Sequence, residues 1–93
     1  MKAIVVPTPF RPFTDDQKVV EIDGDTVGAA LENLTLRYPE LRQHLYDDEG
    51  RLHSFVNIFV GENEISSLQG ADTPLADGER VIIAAAISGG IDR

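Results

Sequence analysis

Residues 80–87 carry apolar side chains on both faces of an extended chain: Val81, Ile83, Ala85 and Ile87 on one, Ile82, Ala84 and Ala86 on the other. A strand of that kind belongs at the centre of a sheet, covered on both sides and often paired in parallel. It lies at the end of the chain, so the chain must fold around its own C-terminal strand. Only Ser88, Gly89, Gly90, Ile91, Asp92 and Arg93 follow. With 93 residues there is material for one small domain, and a second core is excluded. The reading is one domain over residues 1–87 and a flexible tail over 88–93.

The remaining elements are legible from periodicity. Residues 2–7 form a β-branched run and read as a strand. Pro7, Pro9 and Pro12 then argue against regular structure, and residues 11–16 read as a loop or wide hairpin. Residues 17–22 alternate, with Val20 and Ile22 on one face and Gln17, Val19 and Glu21 on the other. Asp25 or Thr26 is placed to cap a helix over about residues 27–38, with Val27, Ala30, Leu31, Leu34 and Tyr38 as its apolar stripe. Leu36 lies off the stripe and is expected to be partly buried. Pro39 ends the helix, and residues 40–45 form at most one further short turn. Residues 46–50 read as an acidic loop. Residues 55–60 are a strand whose Val56, Ile58 and Val60 face suits a core. Glu64 and Ile65 make a minor strand, and residues 66–78 read as loop. One amphipathic helix crossing a mixed sheet is a two-layer α+β arrangement. With its first and last strands paired in parallel at the centre, it is the β-grasp, or ubiquitin-like, roll.

Composition narrows the chemistry. The chain has no cysteine, which excludes a disulfide scaffold, a thiolate zinc site and a cysteine nucleophile. Its formal net charge of -8 argues against nucleic-acid binding, which rests on Lys and Arg. The charge fits either plain solubility or docking to a basic partner. No apolar run approaches the roughly 20 residues of a membrane helix, and no signal-peptide pattern is present, so a cytoplasmic protein is expected. His44 and His53 flank Asp47, Asp48 and Glu49, but their spacing matches no metal-ligand motif. The acids read as a solvated loop, and no catalytic or metal-ligating residue is assigned. Gly24 and Gly28 punctuate a helix start and do not form a phosphate loop.

The C-terminus carries more. Glycine has no Cβ, so Gly89-Gly90 can thread a narrow channel into another enzyme's active site. Alone, such a terminus fits an ordinary flexible tail. Together with Arg11-Pro12, Gln17-Lys18, residues 24–29, Leu52-His53, residues 55–60 and Ala76-Asp77-Gly78, it resembles the ubiquitin-like sulfur carriers of the ThiS/MoaD superfamily. Within that superfamily it most resembles the CysO-type branch, which serves cysteine biosynthesis. The resemblance implies a carrier that is not an enzyme and binds no cofactor, a monomer when free. An E1-like enzyme would use ATP to adenylate the terminal glycine, here Gly90, and a sulfur donor would convert it to a thiocarboxylate. A cysteine synthase-like enzyme would accept the sulfur, and a JAMM-type metalloprotease would release the product. Ser88, Gly89 and Gly90 are then the threaded tail.

One departure bears on that reading. Carriers of this family end at the second glycine, whereas this chain continues Ile91, Asp92, Arg93. Cleavage between Gly90 and Ile91 is therefore expected. The alternatives are a permanent extension with the carrier role lost, or three residues foreign to the natural chain. Gly-Gly chemistry also permits a protein modifier joined through Gly90 to lysines, or a carrier for molybdopterin, thiamin or another metabolite. Phe55 and Phe59, opposite the core-facing side of their strand, are the candidate partner surface. Ordinary cross-strand packing accounts for them equally well.

Overall fold

A computed structural model describes residues 2–85 of the chain. Five strands and two helices occur in the order β1 (Lys2–Val5), β2 (Val19–Ile22), α1 (Val27–Arg37), α2 (Pro39–Leu45), β3 (Val56–Val60), β4 (Asn63–Glu64) and β5 (Arg80–Ala85). They form one sheet in the order β2-β1-β5-β3-β4. β5 is central, parallel to β1 and antiparallel to β3. The parallel first-and-last pair under a main helix is the β-grasp arrangement expected from the sequence. The expectations for Ala86, Ile87 and the tail over 88–93 lie outside the described residues.

Alternation along each strand aims Ile4, Val20, Ile22, Val56, Ile58, Val81 and Ile83 at the helix layer, where all are buried. α1 answers with Val27, Ala30, Leu31 and Leu34, and α2 with Leu41 and Leu45. The stripe on α1 continues through buried Thr35, whose hydroxyl donates to the Glu32 carbonyl at 3.0 Å, while Tyr38 is a half-buried cap. Leu36 points away from the core and is 71% exposed, against the expected partial burial. Of the two candidate caps, Thr26 is the one used: its hydroxyl accepts from the Ala29 amide at 3.2 Å.

Two segments are more ordered than their composition implies. Thr8–Phe13 is a 3₁₀ helix, where a loop or wide hairpin is the sequence expectation. Its backbone angles suit the fixed φ of proline, and Pro9 stands where a helix start leaves its amide without a partner. The turn seats Phe10 in the core. The segment over 66–78 is stitched to the start of α1. The Val27 amide donates to Thr73 and the Leu75 amide to Asp25, both at 2.9 Å. Gly24 lets the chain pass the helix closely, since a Cβ there would sit 2.5 Å from the Ala30 amide nitrogen.

Candidate functional site

The functional candidates converge on one end and one face of the sheet. β5 leads into the tail, and its last described residue, Ala85, pairs with Val56 at the start of β3. The described end of β5 therefore lies beside the start of β3. Ser88, Gly89, Gly90 and Ile91 lie outside the described residues.

The face of the sheet opposite the helices has no covering layer among the described residues. In-register pairing aligns Val19 with Val5, Val5 with Ile82, and Ile82 with Phe59. These four side chains form an apolar row across four strands, and Glu64 on β4 ends it beside Phe59. Val5, Ile82 and Phe59 are half-buried, and Val19 is 40% exposed. Glu21, Ala3 and Arg80 form the neighbouring row. The expectation that β5 is covered on both faces therefore holds for one face. Ile82 and Ala84 are half-buried, with no layer over them among the described residues. Phe59 belongs to the open face, but Phe55 does not share it. It precedes β3, packs half-buried against the core and stacks on the His53 ring, with centroids 4.8 Å apart.

At the tail-proximal end, residues 46–53 are a tight hairpin and not the loose acidic loop that composition implies. Tyr46 pairs with Leu52, and the Asp47 amide donates to Arg51 at 2.7 Å. The Asp47 carboxylate accepts from the amides of Glu49 at 2.8 Å and Arg51 at 3.0 Å. The Arg51 amide bond is the leading cause that holds the Asp47 carboxyl below the usual aspartate range. His53 is fixed on two sides, by Phe55 and by Nε2 placed 3.1 Å from the Gln43 carbonyl. A carbonyl can only accept, so Nε2 carries the proton. Between α2 and this hairpin runs an open cleft of about 600 Å³. The Arg42 guanidinium lies 5.1 Å from the Tyr46 ring centroid along it. Burial pushes the Tyr46 phenol up, and Arg42 draws it partly back.

His44, in the last turn of α2, stacks on Phe13 with ring centroids 4.0 Å apart, whereas His53 stacks on Phe55. Among the described residues, no group of three or more His, Asp or Glu side chains is placed to hold a metal ion. Nor is any helix long and apolar enough to cross a membrane. Sequence reading missed Val5, Val19 and Ile82 as companions of Phe59. The signal was present in the outward residues of each strand, but the row exists only once strand order and register are known.

Relatives place this geometry. Residues 4–90 match the ThiS family. The sulfur carrier protein CysO of Mycobacterium tuberculosis (strain ATCC 25618 / H37Rv) is 39% identical over 89 residues, covering 94% of this chain and 96% of that protein. A crystal structure of M. tuberculosis CysO superposes with a TM-score of 0.85 at 37% identity, over 94% of this chain and 100% of that one. A chain of the Amycolatopsis orientalis BexX/CysO complex gives a TM-score of 0.87 at 28% identity, over 97% of this chain and 100% of that one. Small archaeal modifier protein 1 of Haloferax volcanii is 33% identical over 72 residues, covering 76% of this chain and 78% of that protein. With the match running nearly end to end and the β-grasp sheet in place, the chain belongs to the ThiS family of ubiquitin-like sulfur carriers, small proteins that are not themselves catalysts.

Proposed function

We propose that the chain is a precursor that loses Ile91, Asp92 and Arg93 and then carries sulfur on Gly90 toward cysteine biosynthesis. The observation that carries this reading is where the family match stops: at residue 90, the second glycine, leaving the last three residues outside it. The 39% identity to CysO favours the cysteine branch. In the proposed sequence a JAMM-type metalloprotease hydrolyses the Gly90–Ile91 bond. The Gly90 carboxylate then attacks the α-phosphorus of ATP on an E1-like enzyme, and pyrophosphate leaves. A sulfur donor displaces AMP and leaves the thiocarboxylate, which a cysteine synthase-like enzyme uses as its sulfur source. The side chains of this domain take no part in the bond changes. Their task is to present the tail, which concentrates the thio acid at the acceptor's reaction centre.

Docking requires a face as well as a tail. Phe59, with Val5, Val19 and Ile82, is the surface we assign to the activating enzyme, with Phe55 at the root of the tail. An apolar row with acidic residues near its edges suits a partner whose own patch is apolar and basic-rimmed. The complex of BexX with CysO supports recognition of such a carrier as a folded protein.

Intact mass measurement on the protein purified from its own cells tests the reading. It expects a chain ending at Gly90, a fraction of which has one oxygen replaced by sulfur. Only full-length, unmodified chain under sulfur starvation overturns it. The 33% identity to small archaeal modifier protein 1 favours a second reading, conjugation through Gly90 to lysines of other proteins. The same measurement then finds covalent adducts in place of the thio acid.

A further inference from the structure

The cleft between α2 and the 46–53 hairpin lies beside the root of the tail but apart from the apolar row on the open sheet face. Its position limits what can occupy it. Gly90 is five residues beyond Ala85. A fully extended chain of that length spans at most about 18 Å. Any enzyme holding Gly90 in its active site is thus brought against the end of the domain where Ala85 pairs with Val56. His53 and Phe55 stand immediately before Val56, and His53 is also one wall of the cleft. The described end of β5 and the cleft therefore lie at the same end of the domain.

The lining defines the chemistry of the occupant. The floor is aromatic and firmly held. Tyr46 is pinned at both ends, by its amide bond to the Arg42 carbonyl at 2.8 Å and by its pairing with Leu52. The His53 ring is fixed between Gln43 and Phe55. The rim is acidic: Glu40, Asp47 and Asp48 stand against the single guanidinium of Arg42, which lies over Tyr46. Arg51 pairs with Glu49, and its charge also helps to keep Asp47 ionised. Asp47 is committed to the hairpin backbone and stays ionised. Glu40 and Asp48 make no side-chain hydrogen bond or ion pair among the described residues and are exposed. An aromatic floor with two uncommitted carboxylates on its rim matches a guanidinium or ammonium on a flexible stem, which stacks its apolar part and pairs its head.

We infer that this cleft seats an arginine- or lysine-bearing loop of the adenylating enzyme, as a second anchor beside the tail. The inference rests on the carrier reading and deepens it. The sheet face supplies apolar contact, while the cleft fixes the angle at which the tail enters the partner and steers the encounter electrostatically.

The test uses the processed chain ending at Gly90, its E1-like activating enzyme and ATP, with pyrophosphate release as the readout. The charge-reversed variant is Glu40→Lys with Asp48→Lys. A control, Asp23→Lys with Glu62→Lys, makes the same change of net charge on exposed residues at the far end of the domain. The cleft variant is expected to need at least tenfold more carrier for half-maximal rate, with an unchanged plateau and an unchanged thermal midpoint. Added salt should raise the wild-type half-saturation and leave that of the variant nearly flat. The control should stay within about twofold of wild type. A cleft variant within twofold of wild type overturns the inference and leaves the carrier reading standing. So does a control that weakens as much as the cleft variant, because net charge then explains both. If the wild-type chain itself is not adenylated, the carrier reading fails and the inference falls with it.

Discussion

The two faces of the one sheet are built by the same strands and have opposite fates. On the helix side, Ile4, Val20, Ile58, Val81 and Ile83 are sealed by α1 and α2. On the other side, Val5, Val19, Ile82 and Phe59 are aligned with equal regularity and left partly open. The first arrangement is what a small domain needs to exist: at this size only about 60% of the unfolded surface is buried, so every aliphatic residue under the helices counts. The second is not required by folding. We propose that this row of β-branched and aromatic residues, uncovered among the described residues, is kept for a partner. The faces therefore divide stability from recognition, and substitutions should separate the two.

The largest effect is expected on the covered face. Leu34 on α1 is completely buried. Leu34→Ala removes its transfer energy and leaves a cavity, a loss of about 2–5 kcal/mol in chemical denaturation. Gly24→Ala comes next. It adds only a methyl group, but that methyl meets the backbone of Ala30 at 2.5–2.7 Å and pushes α1 off the sheet. A loss of about 1–3 kcal/mol is expected. A neutral Gly24→Ala would mean that α1 moves easily on its sheet, and the covered face would then no longer be the rigid one.

Phe59→Ala inverts the pattern. Its ring is half-buried and opposes Ile82, so stability should fall by only about 1 kcal/mol. Affinity for the activating enzyme, measured by titration of the processed chain, should fall by tenfold or more if the row is the docking face. A variant that loses stability as Leu34→Ala does, with partner binding intact, would assign the row to the fold alone.

How much of this was legible follows from what each feature depends on. β5 was readable as a central strand because a run of consecutive apolar positions favours the middle of a sheet, although one of its faces is left open among the described residues. The reading of Gly89-Gly90 as a threaded tail falls outside the described residues. The Val5–Ile82–Phe59 row was not, because it depends on registers of strands far apart in sequence. Pairing Phe55 with Phe59 by parity failed because β3 begins at Val56, and Phe55 turns back onto His53. Pro7, Pro9 and Pro12 were read as breakers, yet a 3₁₀ turn accepts their φ. Residues 46–50 looked like an acidic loop because charge composition conceals backbone bonds that a single aspartate can organise.

That hairpin supplies the smallest expected effect and tests whether the tail-proximal end resembles the covered face or the open one. It is held by polar contacts to the Asp47 carboxylate, and only the ionised carboxylate accepts both amides at full strength. The Asp47 pKa is lowered in the folded chain from the ordinary 3.8. Its contribution is therefore complete above that ordinary value and is lost as pH falls through the lower folded one. Amide exchange at Glu49 and Arg51 should accelerate in that acid window while exchange in β1 and β5 stays slow. Asp47→Asn should bring the acid behaviour to neutral pH, because the neutral amide oxygen accepts more weakly. Unchanged protection of both amides in Asp47→Asn would mean that the Asp47–Arg51 and Gly50–Asp47 backbone bonds suffice to hold the hairpin. The end of the domain beside the tail would then be as self-supporting as the covered face.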